Sequence, residues 1–323
     1  MEPPLSPTWL RIEQAIGKRP QFTGDALSMR QQYKAFADQA NSSFFGGDFS
    51  TDETIIHTED ISISPHLAAR VYHPVKSEGS QPLPVGVYFH GGGWCCGDLD
   101  TEDPFCQLIA EHLPCIIVSV EYRLAPEHKS PTQLEDALEG WSWAFRNASK
   151  LNGDSQRYFV VGQSAGGHLA LALANKLVSL DRQGEVCGIA ALVPIVAHPV
   201  HIPTEYVDKY RSFNDCANAP MNTAHAMNEF FDSVGASPQD PDFFIINCSY
   251  LNRFPATYLA VCDVDPIRDD GLIIHDVLNK AGVPTKINHY AGLPHVFWAL
   301  DCPAPSGNFL GDVLDGINFA INA

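Results

Sequence analysis

A doubly wound, mostly parallel α/β sheet with a helical cap is the fold class this sequence predicts, on three observations. Short, near-continuous apolar runs at 85–89, 115–120 and 158–161 read as strands buried on both faces. Stretches of helical character at 105–112, 134–146 and 168–179 separate them, and strands joined by helices pair in parallel. Two of the strands run directly into glycine-rich turns, at 90–93 and 162–167.

The elements follow in order. Trp9, Ile12 and Ile16, then Met29, Tyr33 and Phe36, recur at helical spacing, and Pro20 and Gly24 divide them into two helices. Residues 54–58 and 68–73 read as β-strands, the second closed by Pro74, and 77–84 as a polar loop. Further strands are expected at 189–194, 256–262 and 285–290, with a closing helix at 309–321. Between them, 198–242 breaks the rhythm with irregular, aromatic-bearing sequence. Residues 1–45 are therefore read as a helical cap segment and 46–323 as the catalytic domain, with 198–242 inserted as the rest of the cap.

Composition narrows the function classes. The 323 residues are 45% hydrophobic and 18% charged, enough apolar sequence for a core and too little charge for a disordered chain. A net charge of -18 argues against nucleic acid and anionic membrane as partners. The nine cysteines show no metal-binding spacing, and the N-terminus has no basic region followed by an apolar run, so a cytoplasmic protein without metal or cofactor is expected. Sequons at Asn41, Asn147 and Asn247 matter only on a secretory route. Monomer and homodimer both stay open.

Gly162-Gln163-Ser164-Ala165-Gly166 fits the G-x-S-x-G turn, with a strand before it and a helix after it. Small neighbours let such a turn lift the serine hydroxyl above the sheet, at the positive end of a helix. His90-Gly91-Gly92-Gly93-Trp94 follows another strand. Backbone N–H groups aimed at a developing oxyanion are worth about 3–4 kcal/mol each, and glycines let them approach the substrate. Gly92, Gly93 and Ala165 are the expected donors, and His90 is read as fixing the loop. No Walker lysine or G-x-G-x-x-G accompanies these glycines, so a phosphate loop is disfavoured.

Together with Tyr122-Arg123-Leu124-Ala125-Pro126-Glu127, the segment 265–271 and His295-Val296-Phe297, these motifs resemble the hormone-sensitive-lipase-like carboxylesterases of the α/β-hydrolase fold-3 group. The likeness spans 85–297, and the wording of 198–235 is similar to fungal members. The resemblance implies Ser164 as nucleophile, Asp265 as the acid and His295 as the base, with Asp263, Asp269 and Asp270 as neighbouring alternatives for the acid. Arg268 and Asp269 are read as pinning that loop. The chain departs from the family at Gln163, where aspartate is usual, at His168, where asparagine is common, and at Val296, where glycine is frequent.

The expected reaction is hydrolysis of a small-molecule ester with a short-to-medium acyl chain, on an alcohol such as a natural product. Trp94, Val296 and Trp298 are expected to line the pocket, with Trp9, Phe44, Phe45, Phe213, Phe230 and Phe231 as candidates that plain core packing explains equally well. Elimination or acyl transfer on a polyketide or flavonoid-like compound would use the same groups. A non-catalytic receptor is the weaker alternative, because related receptors lack the histidine that His295 supplies here.

Overall fold

A computed structural model of the protein describes residues 2–44, 55–75, 81–300, 302–304 and 307–323, without the side chains of 42–44. Its eight strands are Ile56–Ser64 (β1), Leu67–Pro74 (β2), Leu83–Phe89 (β3), Ile116–Glu121 (β4), Gly153–Gln163 (β5), Gly188–Leu192 (β6), Ala256–Val264 (β7) and Thr285–Pro294 (β8). They form one sheet in the order β1-β2-β4-β3-β5-β6-β7-β8. β1 pairs antiparallel with β2, and β2 with β4; every later pair is parallel. The doubly wound, mostly parallel sheet expected from the alternating pattern is present.

Residue type explains which strands lie where. β6 is buried at every position and β4 at all but its last, so neither tolerates a polar face. β1 is an edge strand with a mostly exposed, polar pattern, which is why its reach to Ser64 escaped an apolar search that placed it at 54–58. Thr54, like residues 77–80 of the expected loop, lies outside the described residues.

The helices are Pro7–Ile16 (α1), Ala26–Phe44 (α2), Asp103–His112 (α3), Thr132–Arg146 (α4), Ala148–Leu151 (α5), Ala165–Ser179 (α6), Ser212–Asp215 (α7), Ala224–Val234 (α8), Arg268–Lys280 (α9) and Phe309–Asn322 (α10). α6 is buried along nearly its whole length beneath the nucleophile turn, and starts three residues earlier than its apolar run suggests. The polar opening of α9 hid that helix from a hydrophobic reading. The stretch 198–242 is not irregular throughout: it contains α7 and α8, the latter capped by the Thr223 hydroxyl and ended by Gly235.

The topology sets the site. β3, β5, β7 and β8 run parallel and end on one edge, delivering His90, Ser164, Asp265 and His295 in turn. Over that edge lie two segments distant in sequence. Met221 N donates to Pro20 O at 2.7 Å, and Gln21 and Arg19 donate to Asn218 O, which ties the α1–α2 connection to the insertion before α8. Among the described residues, no helix is long and apolar enough to cross a membrane.

The core under the site depends on tight packing. Ile189, on β6 between two parallel neighbours, has 0% exposure. Ile189→Ala should therefore lower unfolding free energy by about 2–5 kcal/mol in chemical denaturation, with an unchanged denaturant slope.

Candidate active site

The nucleophile turn is built from the glycines outward. Ser164 sits at φ 54°, ψ −119°, a backbone region that side-chain-bearing residues rarely adopt. Its N–H donates to Leu192 O at 2.8 Å and its carbonyl accepts from His168 N at 2.9 Å, so both neighbouring elements hold the strain. A Cβ on Gly166 would stand 1.9 Å from Phe89 O, and one on Gly162 2.4 Å from Gly166 O. Only glycine permits this approach of β3, β5 and α6.

His295 Nε2 lies 2.9 Å from Ser164 Oγ, and His295 Nδ1 lies 2.6 Å from Asp265 Oδ2. With the Nδ1 proton donated to the carboxylate, Nε2 is left as an acceptor for the serine hydroxyl. Asp265 is fully buried, and its other oxygen accepts from Ile267 N at 3.1 Å and Asn222 Nδ2 at 3.4 Å. The three neighbouring aspartates are engaged elsewhere. Asp263 accepts from Gly292 N, Asp269 from Arg211 N, Ser212 N and Arg268 Nε, and Asp270 from Val196 N and Ala197 N. Asn222, unnoticed in the sequence, carries no motif and reaches Asp265 only through the folded insertion.

Gly92 and Gly93 have φ of 108° and 59°, and Gly92 O accepts from Cys95 N and Cys96 N, so the loop curls back on itself. The N–H groups of Gly92, Gly93 and Ala165 donate to no acceptor among the described residues. His90 is buried, stacks on Tyr122 with ring centres 4.1 Å apart, and donates from Nδ1 to Gly91 O at 2.8 Å. Burial holds its imidazole neutral, down at about 4.

The roof and floor enclose a cavity of about 40 Å³ at Ser164, bounded by Phe22 and Tyr33 from the N-terminal segment and by Met221, Ala226, Met227 and Phe230 from the insertion. A neighbouring space of about 60 Å³ shares Tyr33, Gln163 and Val296 with it and is closed by Trp298. A larger groove of about 480 Å³ opens beyond Phe22, Phe36 and Met221. Val296 thus borders both inner spaces, at φ 45°, which explains glycine's place elsewhere in the family and leaves a β-branched residue strained here by about 1–3 kcal/mol. Trp94 is a correction: it bounds none of these spaces but turns into the core, fully buried against Phe231 and Phe243. Trp9, Phe213 and Phe231 are likewise core, whereas Phe230 lines the cavity, its ring where a Gly93 Cβ would lie. Phe45 and the side chain of Phe44 lie outside the described residues.

A sequence profile of the α/β-hydrolase fold matches residues 86–299. The chain belongs to this α/β-hydrolase family, in its hormone-sensitive-lipase-like branch. It is 39% identical over 255 residues to the versiconal hemiacetal acetate esterase of the fungus Dothistroma septosporum, covering 78% of each chain. Over 247 residues it is 32% identical to carboxylesterase NlhH of Mycobacterium tuberculosis, covering 74% of each. The solved structure of vibralactone cyclase superposes with a TM-score of 0.90 at 26% identity, over 99% of this chain and 95% of that one.

His168, a departure from the family pattern, has a structural part. Trp94 Nε1 donates to its Nδ1 at 3.0 Å, and its Nε2 donates to Phe243 O at 2.7 Å, which ties the residue after the glycine loop to the chain just after the insertion. Burial depresses its pKa from 6.5 to about 4. The unfolded chain therefore takes up a proton, as pH falls below 6.5, that the folded chain refuses. Stability conferred by this group is complete above 6.5 and declines towards pH 4, at about 1.4 kcal/mol per pH unit. Unfolding free energies between pH 7 and pH 4.5 should fall more steeply for the wild type than for His168→Asn. Parallel curves would show that His168 is not held neutral.

Proposed function

We propose that this protein is a serine carboxylic-ester hydrolase working through an acyl-enzyme on short acyl esters. The observation that carries the reading is the continuous line Asp265–His295–Ser164, at 2.6 and 2.9 Å. In it, Ser164 attacks the ester carbonyl while His295 takes its proton. His295 then returns the proton to the leaving alkoxide and activates water for the second half-reaction, and Asp265 stabilises the imidazolium. The Gly92, Gly93 and Ala165 N–H groups receive the carbonyl oxygen as it gains charge. No metal or organic cofactor enters any step.

The substrate is a small-molecule ester. A cavity of about 40 Å³ at the serine supports an acyl group of acetyl size, and two acetate-releasing relatives support it further. The outer groove supports a bulkier, largely apolar alcohol on the entrance side, and the N-terminal helices with 198–242 act as the cap that excludes water.

Hydrolysis of p-nitrophenyl esters from acetate to palmitate should peak at acetate and fall steeply beyond butyrate. Ser164→Ala should lower kcat on the order of 10^6-fold; undiminished turnover in that variant would end the serine mechanism. Asp265→Asn should cost about 10^4-fold in kcat with the fold intact, and Asp263→Asn should be mild. Equal losses would move the acid away from Asp265.

A second reading, transfer of the acyl group to a hydroxyl of the same substrate, draws support from the likeness to vibralactone cyclase and from the small, mostly apolar cavity at Ser164. Mass analysis of products separates the two, since hydrolysis adds the elements of water and cyclisation does not.

A further inference from the structure

Glu102 is a buried carboxylate, 7% exposed, that the chemistry described above does not use. It stands at the start of α3, and every group facing it is a donor. Gly91 N donates to its Oε1 at 2.9 Å, Tyr33 OH to the same oxygen at 3.4 Å, and Tyr88 OH to Oε2. Burial raises the Glu102 pKa, and Gln163, which lines the same small space as Glu102 and Tyr33, works against that rise together with the other donors. Gln163 Oε1 in turn accepts from Trp298 Nε1 at 3.0 Å, three residues after His295. The space at Gly91 is bounded by both partners: a Cβ there would lie 3.2 Å from Glu102 Oε1 and 3.3 Å from Gln163 O.

One buried chain of polar groups therefore joins the oxyanion loop, the nucleophile turn, the histidine loop and, through Tyr33, the roof helix α2. We propose that Glu102 is a positioning residue that holds the Gly92 and Gly93 amides in register with Ser164 through Gly91 and Gln163. The proposal rests on the esterase reading and extends it to a residue outside the triad and the oxyanion donors. It also accounts for glutamine before the nucleophile. An aspartate or glutamate at 163 would set two carboxylates against each other in a dry site, where both cannot ionise at ordinary cost. A neutral amide supplies the donor that Glu102 needs and the acceptor that Trp298 needs.

The test is a charge swap between two isosteric pairs. Gln163→Glu and Glu102→Gln should each lower kcat for p-nitrophenyl acetate, by up to about a hundredfold for a displaced oxyanion loop, with KM little changed. The double variant restores one carboxylate facing one amide, and should recover most of the kcat lost in Gln163→Glu. Single variants with wild-type kcat, or a double variant no better than the product of the singles, would overturn the proposal. If either single variant fails to fold, recovery of both fold and kcat in the double supports it, and a double that folds without recovering kcat overturns it. Labelling rates with an organophosphonate are read in parallel, because phosphonylation uses the same serine and oxyanion donors. Wild-type protein that is labelled but turns over no ester would count against the hydrolase reading alone. The rank order of labelling rates would still decide the role of Glu102.

Discussion

The rest of the site depends on one sterically enforced backbone conformation. Ser164 holds φ 54° and ψ −119° because β5 and α6 meet with no atoms to spare between Gly162, Gly166 and the Phe89 carbonyl. A strained residue of this kind costs about 1–3 kcal/mol, and the structure sustains it through hydrogen bonds from both sides. The strain lifts the hydroxyl clear of the sheet. It also brings β3 close enough for Gly92 and Gly93 to border the same space as Ser164.

Around that turn, burial and charge are balanced locally. The site holds two buried carboxylates, Asp265 and Glu102, each facing donors, and beside His295 two further buried histidines, His90 and His168, each kept neutral by desolvation. Asp269 and Asp270, at the start of α9, hold the backbone of the insertion at 211–212 and of the chain leading into it at 196–197. The acidic cluster before α9 thus divides its work: one carboxylate meets the histidine, and two anchor the chain that forms the roof.

The roof decides access. Hydrogen bonds between Pro20 and Met221, and from Gln21 to Asn218, join segments about 200 residues apart in sequence, and Phe22 from one and Phe230 from the other line the cavity at the serine. A small inner cavity below a wider groove suits an ester whose acyl part is smaller than its alcohol. Under the proposed acyl-enzyme mechanism such a roof would limit water, which is why transfer within the substrate belongs beside hydrolysis as a reading of this geometry.

Short-range physics was legible in the sequence alone. Buried strands announce themselves by continuous apolar runs, and glycines at 92, 93, 162 and 166 mark backbones that approach too closely for a side chain, so the sheet, the serine turn and the glycine loop after β3 could be placed from residue type and spacing. Polar elements could not: β1 and α9 carry little apolar signal, and α8 sat within a stretch that read as irregular. Tertiary structure alone set Asp265 apart from three other aspartates within eight residues, because of the four only its side chain meets His295. It turned Trp94 into the core, brought Asn222 to Asp265, and placed Glu102 and Gln163 around one small space. Those outcomes depend on where distant strand ends converge, and local periodicity carries no record of which side chains will face one another there.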